Sequence, residues 1–363
     1  MALRVVQWAT GAVGRHAIRG IASHPELALV GVYVRDPAKV GRDAGELAGV
    51  GPLGVAATDD VEALLALRPD CIHYAPLYPD IDLLCRILER GIDVVSPSGF
   101  WFPRAHPKLE ARLVAACEKG GSTLHGSGIH PGITEPLVLT LSSLSLRIER
   151  VVVQEVADLS DHPSHEQMFE GAGFGRAPDE CRSRPSPISR GMGGAFRESQ
   201  ALVAAGLGLA VEGFELDYDV AVTHRRLEVA SGTIEPGHVA GMRWEFRTLV
   251  AGRARIVYRT FWRMGPDLDP DWGFANLRYS VAIEGEPNLR LDFDPTLDAA
   301  PGAPSAASPA SPASPEQAGL LCTAQNGVNA IPAVCAAPPG LRTILDLGLP
   351  RGTARAGAAG PRG

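Results

Sequence analysis

Residues 4–20 read RVVQWATGAVGRHAIRG, an apolar strand, a tight turn and then a run with apolar residues along one helical face. A strand, a Gly-bearing turn and a helix in that order bring backbone N–H groups and the positive end of a helix dipole to one spot, which suits a pyrophosphate. Gly11 permits close approach to the backbone, and Gly14 permits the helix to pack on the strand. Thr10, Ala12 and Val13 complete the turn. Ala9 stands at the first glycine of the G-x-G-x-x-G pattern, so the fingerprint is incomplete, and glycines that serve packing alone are the competing reading.

The rhythm around this stretch supports the nucleotide reading. Apolar runs Arg4–Trp8, Leu27–Val34, Asp70–Tyr74, Asp93–Ser96 and Ser122–His125 alternate with helical spacing over Val13–Ala22, Val61–Leu67, Ile81–Arg90 and Leu109–Lys119. That alternation predicts an α/β fold, a Rossmann-type doubly wound parallel sheet over residues 1–149. A different pattern follows. Arg150–Asp158 reads as a strand, a Gly-rich polar stretch runs through Gly194, Ser199–Leu209 reads as a helix, and long alternating runs lie between Leu216 and Glu284, with a hairpin turn at Ala251–Arg253. A second α+β domain with a mixed or antiparallel sheet is expected over 150–298. The Ala/Ser/Pro segment 299–316 has little to bury and is expected to be a disordered loop. The apolar runs Val328–Ala337 and Leu341–Leu347 must dock, so 325–348 is expected to complete the first domain, with 349–363 a mobile tail.

Composition narrows the function. Of 363 residues, 45% are hydrophobic, and 34 Lys and Arg against 41 Asp and Glu leave a charge of -7, with no basic field to gather nucleic acid. Six scattered cysteines without a C-x-x-C pair point to a reducing compartment. No apolar stretch reaches the ~18 residues of a membrane span, and the start of the chain enters a strand at once, so a cytoplasmic protein without a membrane partner is expected. His162 and His165 lie three apart but no third ligand follows at a metal-site spacing, so no metal is expected. No G-x-S-x-G elbow is present. A small-molecule substrate is what remains.

The end of the second strand carries Arg35-Asp36, with Lys39 and Arg42 close behind. Guanidinium matches a 2′-phosphate in a bidentate way, which favours NADP(H); Asp36 bonded to a free ribose would instead give NAD(H). Two loops at strand carboxyl ends are expected on the nicotinamide side, one with Ala75, Pro76 and Leu77, the other with Ser98 and Gly99. Phe100 and Trp101 either wall a substrate pocket or fill an interface. His130, in the Gly-rich loop 126–134, is either a proton donor or a structural hydrogen-bonder. Ser160–Glu180 reads as a flexible substrate-side element, with Glu170 a second proton-handling candidate and Met168, Phe169 and Phe174 an apolar wall.

Five segments carry a resemblance: VVQWATGAVG (5–14), VRDPAKVGRDAGEL (34–47), GSGIHPG (126–132), MFEGAGFGRAPDE (168–180) and NGVNAIPAVCAAPPGLRTILDL (326–347). In this order they resemble the dihydrodipicolinate reductase-like family that includes 2,4-diaminopentanoate dehydrogenase and the NAD(P)H-dependent amine dehydrogenases. The resemblance implies a mixed-sheet domain used in homodimerisation, a terminal helix returning to the cofactor side, and Asn329 near the nicotinamide. It implies an oxidoreductase that moves a hydride to or from a C=N or C=O carbon. The chain departs from the pattern at Ala9, at His130, where relatives have Asn, and at Ser98-Gly99-Phe100, where amine dehydrogenases carry a catalytic Glu. A carbonyl or enoate reductase, and a non-catalytic NADP(H)-binding or sensing protein, are the alternatives.

Overall fold

The computed structural model describes residues 1–273, 278–295, 297 and 315–352, and the chain forms two units, Met1–Gly128 with Thr323–Gly363, and Ile129–Cys322. In the first unit β1 (Leu3–Trp8), β2 (Leu27–Tyr33), β3 (Ala57–Thr58), β4 (Cys71–Tyr74), β5 (Asp93–Ser96) and β6 (Thr123–Gly126) lie parallel in the order β6-β5-β4-β1-β2-β3. Strands such as Cys71–Tyr74, buried at every residue, are what a sheet covered on both faces requires. The covering helices are α1 (Ala12–Ser23), α2 (Ala44–Ala48), α3 (Val61–Ala66), α4 (Ile81–Glu89) and α5 (Pro107–Gly120). Asp43, Asp60 and Asp80 cap the amino ends of α2, α3 and α4 through their carboxylates, each worth about 1 kcal/mol. The strand order reverses between β1 and β4, and ligands of open α/β sheets bind outside the carboxyl ends at such a point.

The second unit holds α6 (Thr134–Ser142), β7 (Arg147–Asp158), a π-helical turn over Glu166–Ala172, α7 (Pro178–Ser183) and α8 (Pro187–Gly206). Then come β8 (Gly213–Thr223), β9 (Leu227–Val229), β10 (Gly232–Ile234), β11 (Val239–Val250), β12 (Arg253–Arg263), β13 (Leu268–Asp269), β14 (Arg278–Glu286) and β15 (Leu289–Phe293). Its large sheet runs β13-β8-β11-β12-β7-β14-β15, with β12 and β7 parallel and the other pairs antiparallel, so it is mixed. Val153 of β7, Trp244 and Phe246 of β11, Tyr258 of β12 and Phe196 of α8 share one core. The β11–β12 hairpin turns on Ala251 and Gly252, both left-handed (φ 51° and 68°), which matches the twist of the flanking strands.

Two expectations change here. The long helix starts at Pro187, not Ser199, because Ser186 caps it and Met192 and Phe196 bury against the core, overriding Gly191, Gly193 and Gly194. The segment expected to be a flexible substrate-side element is largely helical, held by Met168, Phe174 and Cys181 in the core.

The chain then enters α9 (Pro315–Cys335), whose later turns place Ala324, Val328, Ile331 and Val334 against Val5, Ala17, Ile21 and Val95 of the first unit. β16 (Gly340–Leu341) adds beside β6 in parallel, and α10 (Ile344–Leu347) follows, closed by a Thr343–Asp346 capping box. The Ala/Ser/Pro segment through 314 and the terminal segment beyond 352 lie outside the described residues; α9 already begins at Pro315, inside the loop expected there. Among the described residues no helix is long and apolar enough to cross a membrane.

Candidate functional site

In the first unit the turn after β1 is fixed from below. The Gln7 amide donates to the carbonyls of Trp8 and Ala9, both at 3.0 Å, and its oxygen accepts the Nδ1–H of His73 at 2.8 Å. The His73 tautomer follows from that acceptor, and burial lowers the pKa of its ring to about 4, so it is neutral. Ala9 is left-handed, at φ 75°. A Cβ on Gly14 would stand 2.1 Å from the Ala9 carbonyl oxygen, so only glycine fits. A Cβ on Gly11 would meet nothing within 4 Å. Unlike α2, α3 and α4, α1 has no side-chain cap and no acidic residue in its first turn. Its amino end presents free N–H groups and a positive dipole to an open face, and that fits a pyrophosphate.

Beyond β2, Asp36 is committed to the Ala38 N–H at 3.0 Å, where it caps a short turn. Arg35, Lys39 and Arg42 pair with no carboxylate among the described residues. The next two loops are tied together: Ala75 N–H donates to Trp8 O (3.1 Å), and the Ser98 hydroxyl donates to Pro76 O (2.5 Å). Leu77 is exposed. Gly99 and Phe100 both have positive φ, 139° and 71°, and Phe100 is turned inward, 4% exposed, into the core that holds Trp8, Tyr74 and Leu124. Phe100 thus packs in that core, which its left-handed backbone lets it enter. Trp101 instead donates its indole N–H to Ser127 O at 2.5 Å. Asn326 of α9 accepts the Gly128 N–H at 3.1 Å, while Asn329, one turn on, lies beside Gly352.

In the second unit the His130 ring packs among Phe196, Tyr258 and Tyr279, at 4.8, 5.3 and 6.3 Å between centroids. Nδ1 meets the Thr134 hydroxyl at 2.8 Å, Nε2 has no partner among the described residues, and burial lowers the pKa to about 3. His130 therefore carries no imidazolium proton to donate near neutral pH, which removes it as a general acid in that form. Glu135 accepts from Gly132 N–H (2.6 Å), the Thr134 hydroxyl (3.1 Å) and the Ser199 hydroxyl. On β7, Glu155 sits between Thr260 of β12 and Tyr279 of β14 in the ladder, and the Tyr279 hydroxyl donates to it at 3.3 Å. Burial pushes its carboxyl up to about 8. Met168 and Phe174 are core side chains, 4% and 1% exposed. Phe169 stacks on His165 at 4.6 Å, and Glu170 is exposed.

Residues 133–358 match the 2,4-diaminopentanoate dehydrogenase C-terminal domain family, and residues 5–73 the dihydrodipicolinate reductase N-terminal family. An amine dehydrogenase of Streptomyces virginiae is 33% identical, the match covering 96% of each chain. The chain belongs to the amine dehydrogenase family. A 2,4-diaminopentanoate dehydrogenase of Acetoanaerobium sticklandii is 25% identical over 73% of this chain and 69% of its own. The structure of an amine dehydrogenase from Mycobacterium smegmatis superposes with a TM-score of 0.74 at 25% identity, over 97% of this chain and 98% of that one. This chain, as a member of that family, is an NAD(P)-dependent oxidoreductase acting on C–N substrates. When bound, the nicotinamide cofactor supplies the hydride.

Reading the sequence alone misses Asn326, Glu155 and Tyr279. Asn326 stands three residues before the Asn329 that the resemblance singles out, yet it is Asn326 that reaches the loop after β6. No local signal marks Glu155: one carboxylate in an alternating strand reads as solvent-facing.

Proposed function

We propose that this chain interconverts a small ketone plus ammonia with the corresponding primary amine, using NADP(H) in preference to NAD(H). The observation that carries the cofactor half is the uncapped, acid-free amino end of α1 above the open face of Gly11. Backbone N–H groups of Gly11, Ala12 and Val13, with Thr10 beside them, would hold the pyrophosphate, and Gly14 keeps the helix close enough to do so. Arg35, with Lys39, would take the 2′-phosphate; Asp36 is committed to its own cap. Ala75, Pro76, Leu77, Ser98, Gly99 and Asn329 are the residues proposed along the nicotinamide side. Membership of the amine dehydrogenase family supports the C–N substrate, and Trp101 and Phe169 are the apolar side chains proposed to meet it.

The chain is proposed to act as a homodimer in the cytoplasm, the six free cysteines being in keeping with a reducing compartment. The test is NADPH oxidation with a panel of simple ketones and ammonia, alongside NADH, and sedimentation for the dimer. No turnover of any carbonyl with ammonia, with NADPH still bound, would sink the reading. A carbonyl reductase is the second reading, favoured by the absence of a carboxylate in Ser98-Gly99-Phe100; turnover of ketone without ammonia identifies it.

A further inference from the structure

The loop after β5 has no carboxylate, whereas the second unit buries Glu135, Glu155 and, on α8, Glu198, and neither of the first two is paired with a cation among the described residues. Those two are not equivalent. Glu135 is sealed, 0% exposed, and its oxygens are committed to Gly132, Thr134 and Ser199. Glu155 keeps 9% of its surface, and the Tyr279 hydroxyl reaches it across a long 3.3 Å. Around its row, Trp244 Nε1 and His130 Nε2 are without partners among the described residues, and the Thr260 hydroxyl faces Glu155 itself. Trp244 is directly across the ladder from Thr260, and Thr260 from Glu155. Buried polar atoms left open beside a carboxyl held only by two hydroxyls are a place for a small polar group to bind.

We propose that Glu155 is the acid that dehydrates the carbinolamine formed from ketone and ammonia. The proposal rests on the amine dehydrogenase reading above. The Glu155 O–H proton passes to the carbinolamine hydroxyl, the C–O bond breaks and water leaves. The nitrogen lone pair closes the C=N bond, and the resulting iminium cation faces the carboxylate just formed; a solvent proton later restores the acid. Burial favours the acid form that this step needs, the carboxyl being pushed up to about 8. The titratable groups that face the row are Tyr279 of β14 with Cys322 of α9 near it, Tyr258 of β12, and the neutral His130 ring; none of them is a cation that would hold Glu155 ionised.

The experiment compares two substrates in Glu155→Gln: ketones from the panel with ammonia, which must pass through a carbinolamine, and preformed 1-pyrroline, which needs no dehydration. At fixed free ammonia the parent's kcat should fall as pH rises through about 8. The Gln variant should lose that limb and at least about 100-fold in kcat with ketone, the lower end of general-acid contributions. Its reduction of 1-pyrroline should change far less, with NADPH binding intact and the melting temperature no lower. An unchanged ketone rate overturns the proposal while the parent's activity leaves the functional reading standing; so does an equal loss on both substrates. A parent inactive on both substrates fails the functional reading, and the proposal with it. Tyr279→Phe is the second arm. Without the hydroxyl that favours the ionised form the alkaline limb should move upward, and an unmoved limb overturns the assignment even if Glu155→Gln does not fold.

Discussion

The carbonyl oxygen of Ala9 lies 2.1 Å from the point where a side chain on Gly14 would begin. Gly14→Ala must therefore push the turn off α1, an overpacking cost of about 1–3 kcal/mol. The expected outcome is a lower melting temperature and NADPH binding weakened by at least tenfold, read by a thermal melt and a fluorescence titration. Ala9→Gly works the other way, since Ala9 holds φ at 75° where an L-residue is strained by about 1–2 kcal/mol, partly offset by the greater freedom of glycine when unfolded. Urea midpoints should show no loss, and a clear drop would mean the strain is not there.

Arg35→Ala should weaken NADPH by about 1.5–3 kcal/mol, the range for hydrogen bonds to charged groups, and leave NADH nearly untouched. Calorimetric titration of both cofactors decides it. Equal losses would take the 2′-phosphate away from Arg35.

Phe100→Glu, the obvious way to return a carboxylate to the loop after β5, should fail. The side chain is 4% exposed among Trp8, Tyr74 and Leu124, where an unpaired charge has no partner. Loss of several kcal/mol is expected, since truncating a buried Phe alone costs about 3–5 kcal/mol. Circular dichroism melts of the variant check this, and a folded, more active protein would contradict it.

Acid stability should depend on His130. Its pKa is lowered by burial from 6.5 to about 3, so the unfolded chain takes up the proton first. The stability this group contributes is fully present above 6.5 and is lost as pH falls toward 3, by about 1.4 kcal/mol per pH unit at most. His73 adds the same sign between 6.5 and about 4. Urea unfolding at several pH values should show His130→Asn flattening the slope relative to the parent.

Glu155 has the opposite sign. Its pKa is raised from 4.5 to about 8, so its contribution is present below 4.5 and lost as pH rises toward 8. Glu155→Gln should then be more stable than the parent at pH 8, and a less stable variant would show that the carboxyl is not held neutral.

How much of this was legible beforehand follows from the range of the interactions. The β/α alternation of the first unit is written in local periodicity, and the doubly wound sheet and the mixed sheet that follows it in sequence could be read from runs of four to twelve residues. The turn at Ala251–Gly252 was readable for the same reason. The first turns of α8 were not, because three glycines argue against a helix locally and only the core packing of Met192 and Phe196 outweighs them. The site divides along the same line. Gly11 and Gly14 announce themselves in one turn of chain, whereas Tyr279 meets Glu155 across 124 positions and Asn326 meets Gly128 across 198.

The docking of α9 and β16 on the first unit also sets an order of events during synthesis. Strands β1–β6 leave the ribosome early, but the helix that fills the core beside Val5 and Ile21, and the strand that extends the sheet past β6, are made only after the whole second unit. The nascent sheet of the first unit must wait with an apolar face uncovered while some two hundred residues are added, on the order of tens of seconds at about 5–20 residues per second. The second unit, contiguous in sequence, can close on itself first. An apolar face of the first unit thus stays uncovered until the last part of the chain is made.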